Sequence, residues 1–155
     1  MQKAKPYIIS VLIALAVGGL SALFTMGNMD IYDEIIKPSF APPGIVFPIV
    51  WGILYVLMGI SSARIYIKGK EGEDAAGALT VYILQLFVNF LWSIIFFNME
   101  AFLFSFVWII LLWVLIVLMI RKFYDIDVLA AYLQVPYLIW VTFAAYLNLA
   151  IYLLN

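Results

Sequence analysis

Five stretches of the chain carry no Asp, Glu, Lys or Arg: Pro6–Met29, Pro38–Ala63, Ala75–Met99, Ala101–Ile120 and Val128–Asn155. Each reaches the roughly 20 residues that an α-helix needs to cross about 30 Å of hydrocarbon. Inside a bilayer, backbone polar groups are satisfied only in helices or closed barrels, and continuous apolar runs exclude the alternation of a barrel strand. The pattern predicts an all-α fold: one domain, residues 1–155, forming an integral membrane bundle of five transmembrane helices. The spans are placed at Pro6–Met26, Pro43–Ile67, Ala75–Phe97, Ala101–Arg121 and Val128–Leu154. Lys3 and Lys5 precede the first apolar run, as basic residues do in a signal peptide. That run is longer than a 7–15-residue signal core, and Gly18-Gly19-Leu20-Ser21-Ala22 leads into more apolar residues. It is read as a retained first helix.

The charges that flank these spans set an orientation. Lys3, Lys5, Arg64, Lys68, Lys70, Arg121 and Lys122 fall on the amino-terminal side, and only Lys37 on the other. The positive-inside rule then predicts a multi-pass protein of the cell membrane with its N-terminus in the cytoplasm and its C-terminus outside. Asn98-Met99-Glu100 is a very short connection, so the third and fourth helices are antiparallel neighbours. Gly27–Pro42 is long for a bundle, with a short helix expected around Asp30–Lys37, and reads as either a surface loop or a lid. Pro43 is expected at the first helical position of the second span, where no amide donor is needed.

Composition narrows the chemistry. The chain is 68% hydrophobic and 11% charged, with a net charge of −1, so no basic field recruits nucleic acid. It has no Cys and no His, which removes disulfides, thiolate chemistry, the commonest acid/base group and the commonest metal ligand. The membrane interior holds no Asp, Glu, Lys, Arg or His, which argues against an ion or proton pathway. No metal site and no tightly bound cofactor are expected.

What remains is aromatic and amide. Phe47, Trp51 and Tyr55 recur every four residues on one face of the second helix. Gln85, Asn89 and Ser93 do so on the third, flanked by Tyr82, Phe90, Trp92 and Phe96, and Pro136, Trp140, Ala144 and Asn148 on the fifth. Polar side chains in lipid turn inward, so these stripes are expected either to meet around a pocket for a flat, largely apolar ligand or simply to bridge helices. Trp108 and Trp113 on the fourth helix read as packing or lipid-facing residues. Pro136 frees the carbonyl of Tyr132, which predicts a kink. Ala14, Gly18 and Ala22 permit close helix contact, within one bundle or between two.

The run Lys37-Pro38-Ser39-Phe40-Ala41-Pro42-Pro43, with Phe47, Val50-Trp51-Gly52, Leu54-Tyr55 and Met58-Gly59, resembles the signature of the translocator protein family, the TspO/MBR or tryptophan-rich sensory group once called peripheral benzodiazepine receptors. Asn89-Phe90-Leu91-Trp92-Ser93 with Phe96-Phe97, and Pro136-Tyr137-Leu138 with Trp140, Phe143-Ala144 and Leu147-Asn148, resemble it too. The resemblance implies a five-helix bundle, often a homodimer, that binds porphyrins such as protoporphyrin IX and synthetic isoquinoline carboxamides or benzodiazepines. It implies a ligand pocket under the first loop lined by Pro42, Trp51, Asn89, Phe90, Trp140, Phe143, Ala144 and Leu147, with Tyr32 added from its loop position. Phe47, Tyr55 and Gln85 join that set from the helical stripes. Light- and oxygen-dependent porphyrin breakdown in bacterial relatives implies a photochemical role for Trp51 and Trp140. The sterol motif of animal relatives lacks its basic residue here, since no Lys or Arg follows Lys122. Without His or Cys, a metal-free porphyrin fits better than ligated haem. The leading expectation is a tetrapyrrole receptor or sensor in the lipid bilayer; the alternatives are a transporter of porphyrins or similar lipophilic molecules, and an enzyme that degrades them.

Overall fold

The computed structural model describes residues 3–28 and 30–155, so the Met29 end of the first window lies outside the described residues. Helix α1 spans Lys5–Thr25, followed by a single 3-10 turn at Met26–Asn28, and α2 is a short helix at Ile31–Glu34. Next come α3 (Val46–Lys70), α4 (Ala76–Ser93, continued by a π-helical turn at Ile94–Asn98), α5 (Phe102–Ile126), α6 (Val128–Leu133) and α7 (Val135–Leu154). Among the described residues, five segments are long and apolar enough to cross a membrane, with α6 and α7 together forming the fifth. This is the expected all-α multi-pass bundle. Its outer surface is apolar on every span; Leu12, Ile53, Ile83, Val107 and Ile139 all point away from the core.

The helix ends depart from the sequence expectation for definable reasons. Pro43 does not begin α3; its carbonyl accepts from the Val46 amide at 3.0 Å, so it opens the turn that precedes the helix. Helix α5 continues past Arg121 to Ile126, where the fully buried Phe123 packs against Tyr82 and holds the last turns on the bundle. The fifth span is broken at Gln134, two residues before Pro136, whose ring and missing N–H prevent continuous pairing. The restarted helix is marked by the Leu138 amide donating to the Gln134 carbonyl at 3.2 Å. The short piece α6 is capped by Asp127, which accepts from the Leu129 amide at 3.3 Å and pairs with Arg64 at 2.6 Å, tying α6 to α3.

Close approach of α1 and α3 depends on small residues. A Cβ on Gly59 would lie 2.5 Å from the Val11 Cα, and one on Gly18 would lie 2.5 Å from a ring carbon of Tyr55. Ala14 is fully buried at the same contact. The small-residue stripe of α1 therefore serves a contact inside the bundle. The two α5 tryptophans act as cross-ties: Trp108 donates to the Val88 carbonyl and Trp113 to the Thr142 hydroxyl, both at 2.8 Å.

Candidate functional site

At the end of the bundle opposite the N-terminus, α1, α3, α4 and α7 enclose a cavity of about 400 Å³. That size lies within the range of small-molecule pockets, roughly 300–1,000 Å³. Helix α3 contributes Phe47, Trp51 and Tyr55, the four-residue stripe read from the sequence, and α2 adds Tyr32. The other side is formed by Trp92, Ser93, Phe96 and Phe97 from α4 and its π-helical turn, and by Ala144 and Leu147 from α7. In that turn the Met99 amide reaches back five residues to the Ile94 carbonyl at 3.2 Å. Glu100 then takes a positive φ of 51°, which lets the chain reverse into α5 at once.

Below Tyr55 runs a chain of buried hydrogen bonds. The Tyr55 hydroxyl donates to Asn89 Oδ1 at 2.8 Å, Asn89 Nδ2 donates to the Tyr137 oxygen at 2.7 Å, and the Tyr137 hydroxyl donates to Gln85 Oε1 at 2.7 Å. This belt joins α3, α4 and α7 and forms the base on which the cavity rests. Gln85 and Asn89 thus lie beneath the cavity, engaged with phenols. A second amide, Asn148, accepts from the Trp92 indole at 3.1 Å and donates to the Phe102 carbonyl at 2.9 Å, fixing one wall.

The loop after α1 covers the other end. Its Tyr32 hydroxyl donates to the Pro42 carbonyl at 2.6 Å, and its ring meets Phe47 edge-on at 5.0 Å. Lys37 donates to the Tyr32 carbonyl and stands over the Tyr32 ring. Burial, and then the neighbouring Asp33 carboxylate, push the Tyr32 phenol above its ordinary value, so it stays a donor at neutral pH. The loop is held at its flanks: Asn155 exchanges two hydrogen bonds with the Ile36 backbone, at 3.1 and 2.8 Å, and Asn28 donates to Asn98 at 2.8 Å.

Six of the sequence-predicted binding residues, Tyr32, Phe47, Trp51, Tyr55, Ala144 and Leu147, line the cavity. Pro42 lies in the covering loop as the acceptor of Tyr32. Trp140 and Phe143 stand behind the wall, with the Trp140 ring perpendicular to Trp51 at 6.4 Å and tilted against Phe143 at 5.4 Å. The Trp140 indole N–H is buried and has no partner among the described residues. Phe90 is half-buried, with its ring edge-on to Phe24 at 5.8 Å. Sequence reasoning does not assign the α1 face, where Gly18, Ser21, Ala22 and Thr25 line the cavity. Its signal is a stripe of small residues that doubles as a packing motif. Asn148 and Ser93, members of the stripes expected to meet at a pocket, border the cavity as well, and so does the flanking Phe96.

Comparison with known proteins decides the family. The TspO/MBR family model matches residues 10–154. The chain belongs to the TspO/MBR family. It is 39% identical to the tryptophan-rich protein TspO of Chlorobaculum tepidum over 144 residues, covering 92% of this chain and 91% of the relative. It is 38% identical to protein CrtK of Rhodobacter capsulatus over 138 residues, 89% of this chain and 85% of the relative. The translocator protein of Sus scrofa is 33% identical over 137 residues, 87% of this chain and 81% of that protein. The TspO/MBR match runs from within α1 to the end of α7, so the α1 face of the cavity falls inside the shared region.

Proposed function

We propose that this TspO/MBR protein is a membrane receptor that holds a flat tetrapyrrole, with protoporphyrin IX as the model ligand, in the cavity beneath the first loop. The supporting observation is the cavity itself: an apolar slot walled by Trp51, Tyr55 and Phe47 on α3 and by Trp92 and Phe96 on α4 and its π-helical turn. Aromatic walls suit a planar macrocycle by stacking, and the hydroxyls of Ser21, Ser93 and Thr25 offer a few polar contacts at its edge. Isoquinoline carboxamide and benzodiazepine ligands, smaller and rich in aromatic rings, are proposed for the same site. Titration of protoporphyrin IX against tryptophan fluorescence tests the reading. Quenching should saturate in the wild type and weaken in Trp51→Phe; identical curves refute this site.

Light-dependent breakdown of the bound porphyrin is the reaction proposed for this site. Trp51 borders the cavity, with Trp140 perpendicular behind it, so an excited porphyrin with molecular oxygen as oxidant has an oxidisable indole at hand and a second in contact with the first. Illumination in oxygen should give one defined product over repeated turnovers; loss of tryptophan absorbance in step with porphyrin loss marks sacrificial photochemistry instead. Transport ranks below binding. It is supported only by the break at Gln134 and the latched loop, and porphyrin flux into proteoliposomes above an empty-vesicle control is its test. The charge bias favours an N-terminus in the cytoplasm. Single cysteines introduced at Lys3 and Lys37 should label from opposite sides of an intact cell membrane. A homodimer is the proposed assembly, and mass photometry in nanodiscs tests it.

A further inference from the structure

A second cavity, of about 730 Å³, opens between α1, α3 and α4 at the amino-terminal end of the bundle, away from the site described above. We infer that this groove is a binding site for an anionic glycerophospholipid of the leaflet on that side. Its lining is graded by depth. Lys5 and Tyr66 stand at the mouth, and the Lys70 ammonium sits 5.5 Å from the centre of the Tyr66 ring. Ser10 and Ser62 come next and share a hydrogen bond of 2.6 Å, which puts them at one level. Ile13 and Leu86 lie among the deeper apolar lining residues.

The spacing follows from helix geometry. Ser10 is five residues beyond Lys5 on α1, about 7.5 Å along the axis, and Ser62 is four residues before Tyr66 on antiparallel α3, about 6 Å. Cations, then hydroxyls, then hydrocarbon is the order of phosphate, ester and acyl chain in a glycerophospholipid. The Tyr82 side chain, 5% exposed, belongs to the same lining, and its hydroxyl has no hydrogen-bond partner among the described residues. That hydroxyl is sealed from the groove, beside Ser62, so the lipid meets the Tyr82 ring and not its oxygen. Lys5 is the charged residue of the lining and Lys70 stands over the Tyr66 ring at the mouth, so the charge facing a headgroup there is positive, although Glu71, Glu73 and Asp74 follow Lys70 in the α3–α4 connection.

The test uses the full chain in detergent, with thermal stability and native mass spectrometry read as phosphatidylglycerol or phosphatidylcholine of identical acyl chains is added. Phosphatidylglycerol should stabilise more and be retained as a bound adduct. Lys5→Gln/Lys70→Gln should weaken its binding on the order of 30-fold, from about fivefold per basic residue near the headgroups. Ile9→Trp, at an exposed groove position, should abolish the lipid effect by filling the groove while leaving lipid-free stability unchanged. Equal response to both lipids, or an unaltered preference in either variant, overturns the inference. Stabilisation that follows protein concentration rather than lipid also overturns it, because a second copy of the chain would then cover the groove.

Discussion

Replacing Tyr137 by Phe removes one oxygen from the centre of the bundle and leaves the ring that fills the space. That oxygen accepts from Asn89 at 2.7 Å and donates to Gln85 at 2.7 Å. Side-chain hydrogen bonds between membrane helices contribute about 0.6 kcal/mol on average and up to about 1.7, so losing two costs about 1–3 kcal/mol. The upper half of that range is favoured, because Gln85 Nε2 already has no partner among the described residues and Gln85 Oε1 would lose its own. The assay is unfolding in mixed micelles with increasing dodecyl sulfate, followed by far-ultraviolet circular dichroism. Tyr146→Phe, on a residue 63% exposed to the membrane side, is the control and should change nothing. A cycle with Gln85→Leu isolates the Tyr137–Gln85 bond. If Tyr137→Phe matches its control to within about 0.3 kcal/mol and the cycle shows no coupling, the belt does not hold the helices together and the account of the cavity base fails.

Other outcomes follow from the same contacts. Gly59→Ala should destabilise by about 1–3 kcal/mol by forcing α1 off α3, whereas Gly19→Ala, with open space around it, should be neutral or slightly stabilising in the same unfolding assay. Tyr32→Phe removes the bond to Pro42, worth about 1 kcal/mol, and should speed porphyrin release about fivefold in stopped-flow fluorescence. Because the folded Tyr32 phenol titrates above its ordinary value, its contribution is constant below about pH 10 and falls as pH rises further. Release rates in the wild type should therefore be insensitive to Tyr32 ionisation through neutral pH and accelerate only in strong alkali. Asp127→Ala loses both the α6 cap and the pairing with the partly exposed Arg64, and should lower stability by about 1–2 kcal/mol, most of it from the cap.

The five spans were legible because hydrocarbon punishes any charge within them, and the charge-free windows record that directly. Helix ends were less legible: apolarity marks where lipid begins, and α5 keeps its backbone pairing for more than a turn past Arg121. The aromatic face of α3 was legible as a four-residue period. The placement of Gln85 and Asn89 was not, because periodicity shows that an amide points inward but not which phenol it meets. Tyr137 falls one residue after the proline of the α7 stripe, and only the break at Gln134 and its surroundings orient it toward Asn89. The α1 contribution was hidden for a different reason. Gly18 both admits Tyr55 and borders the cavity, and a small residue looks the same in either role.

In the proposed receptor, the belt of phenols and amides on one side and the latched loop on the other would divide the labour of recognition. The belt is woven through three helices, so altering it endangers folding, whereas the loop rests on a handful of contacts at its margins. Substitutions in residues 30–42 can therefore change which molecules are admitted, and how long they stay, without disturbing the chamber that receives them. Descendants of one bundle are free to diversify their guests by rewriting the doorway alone.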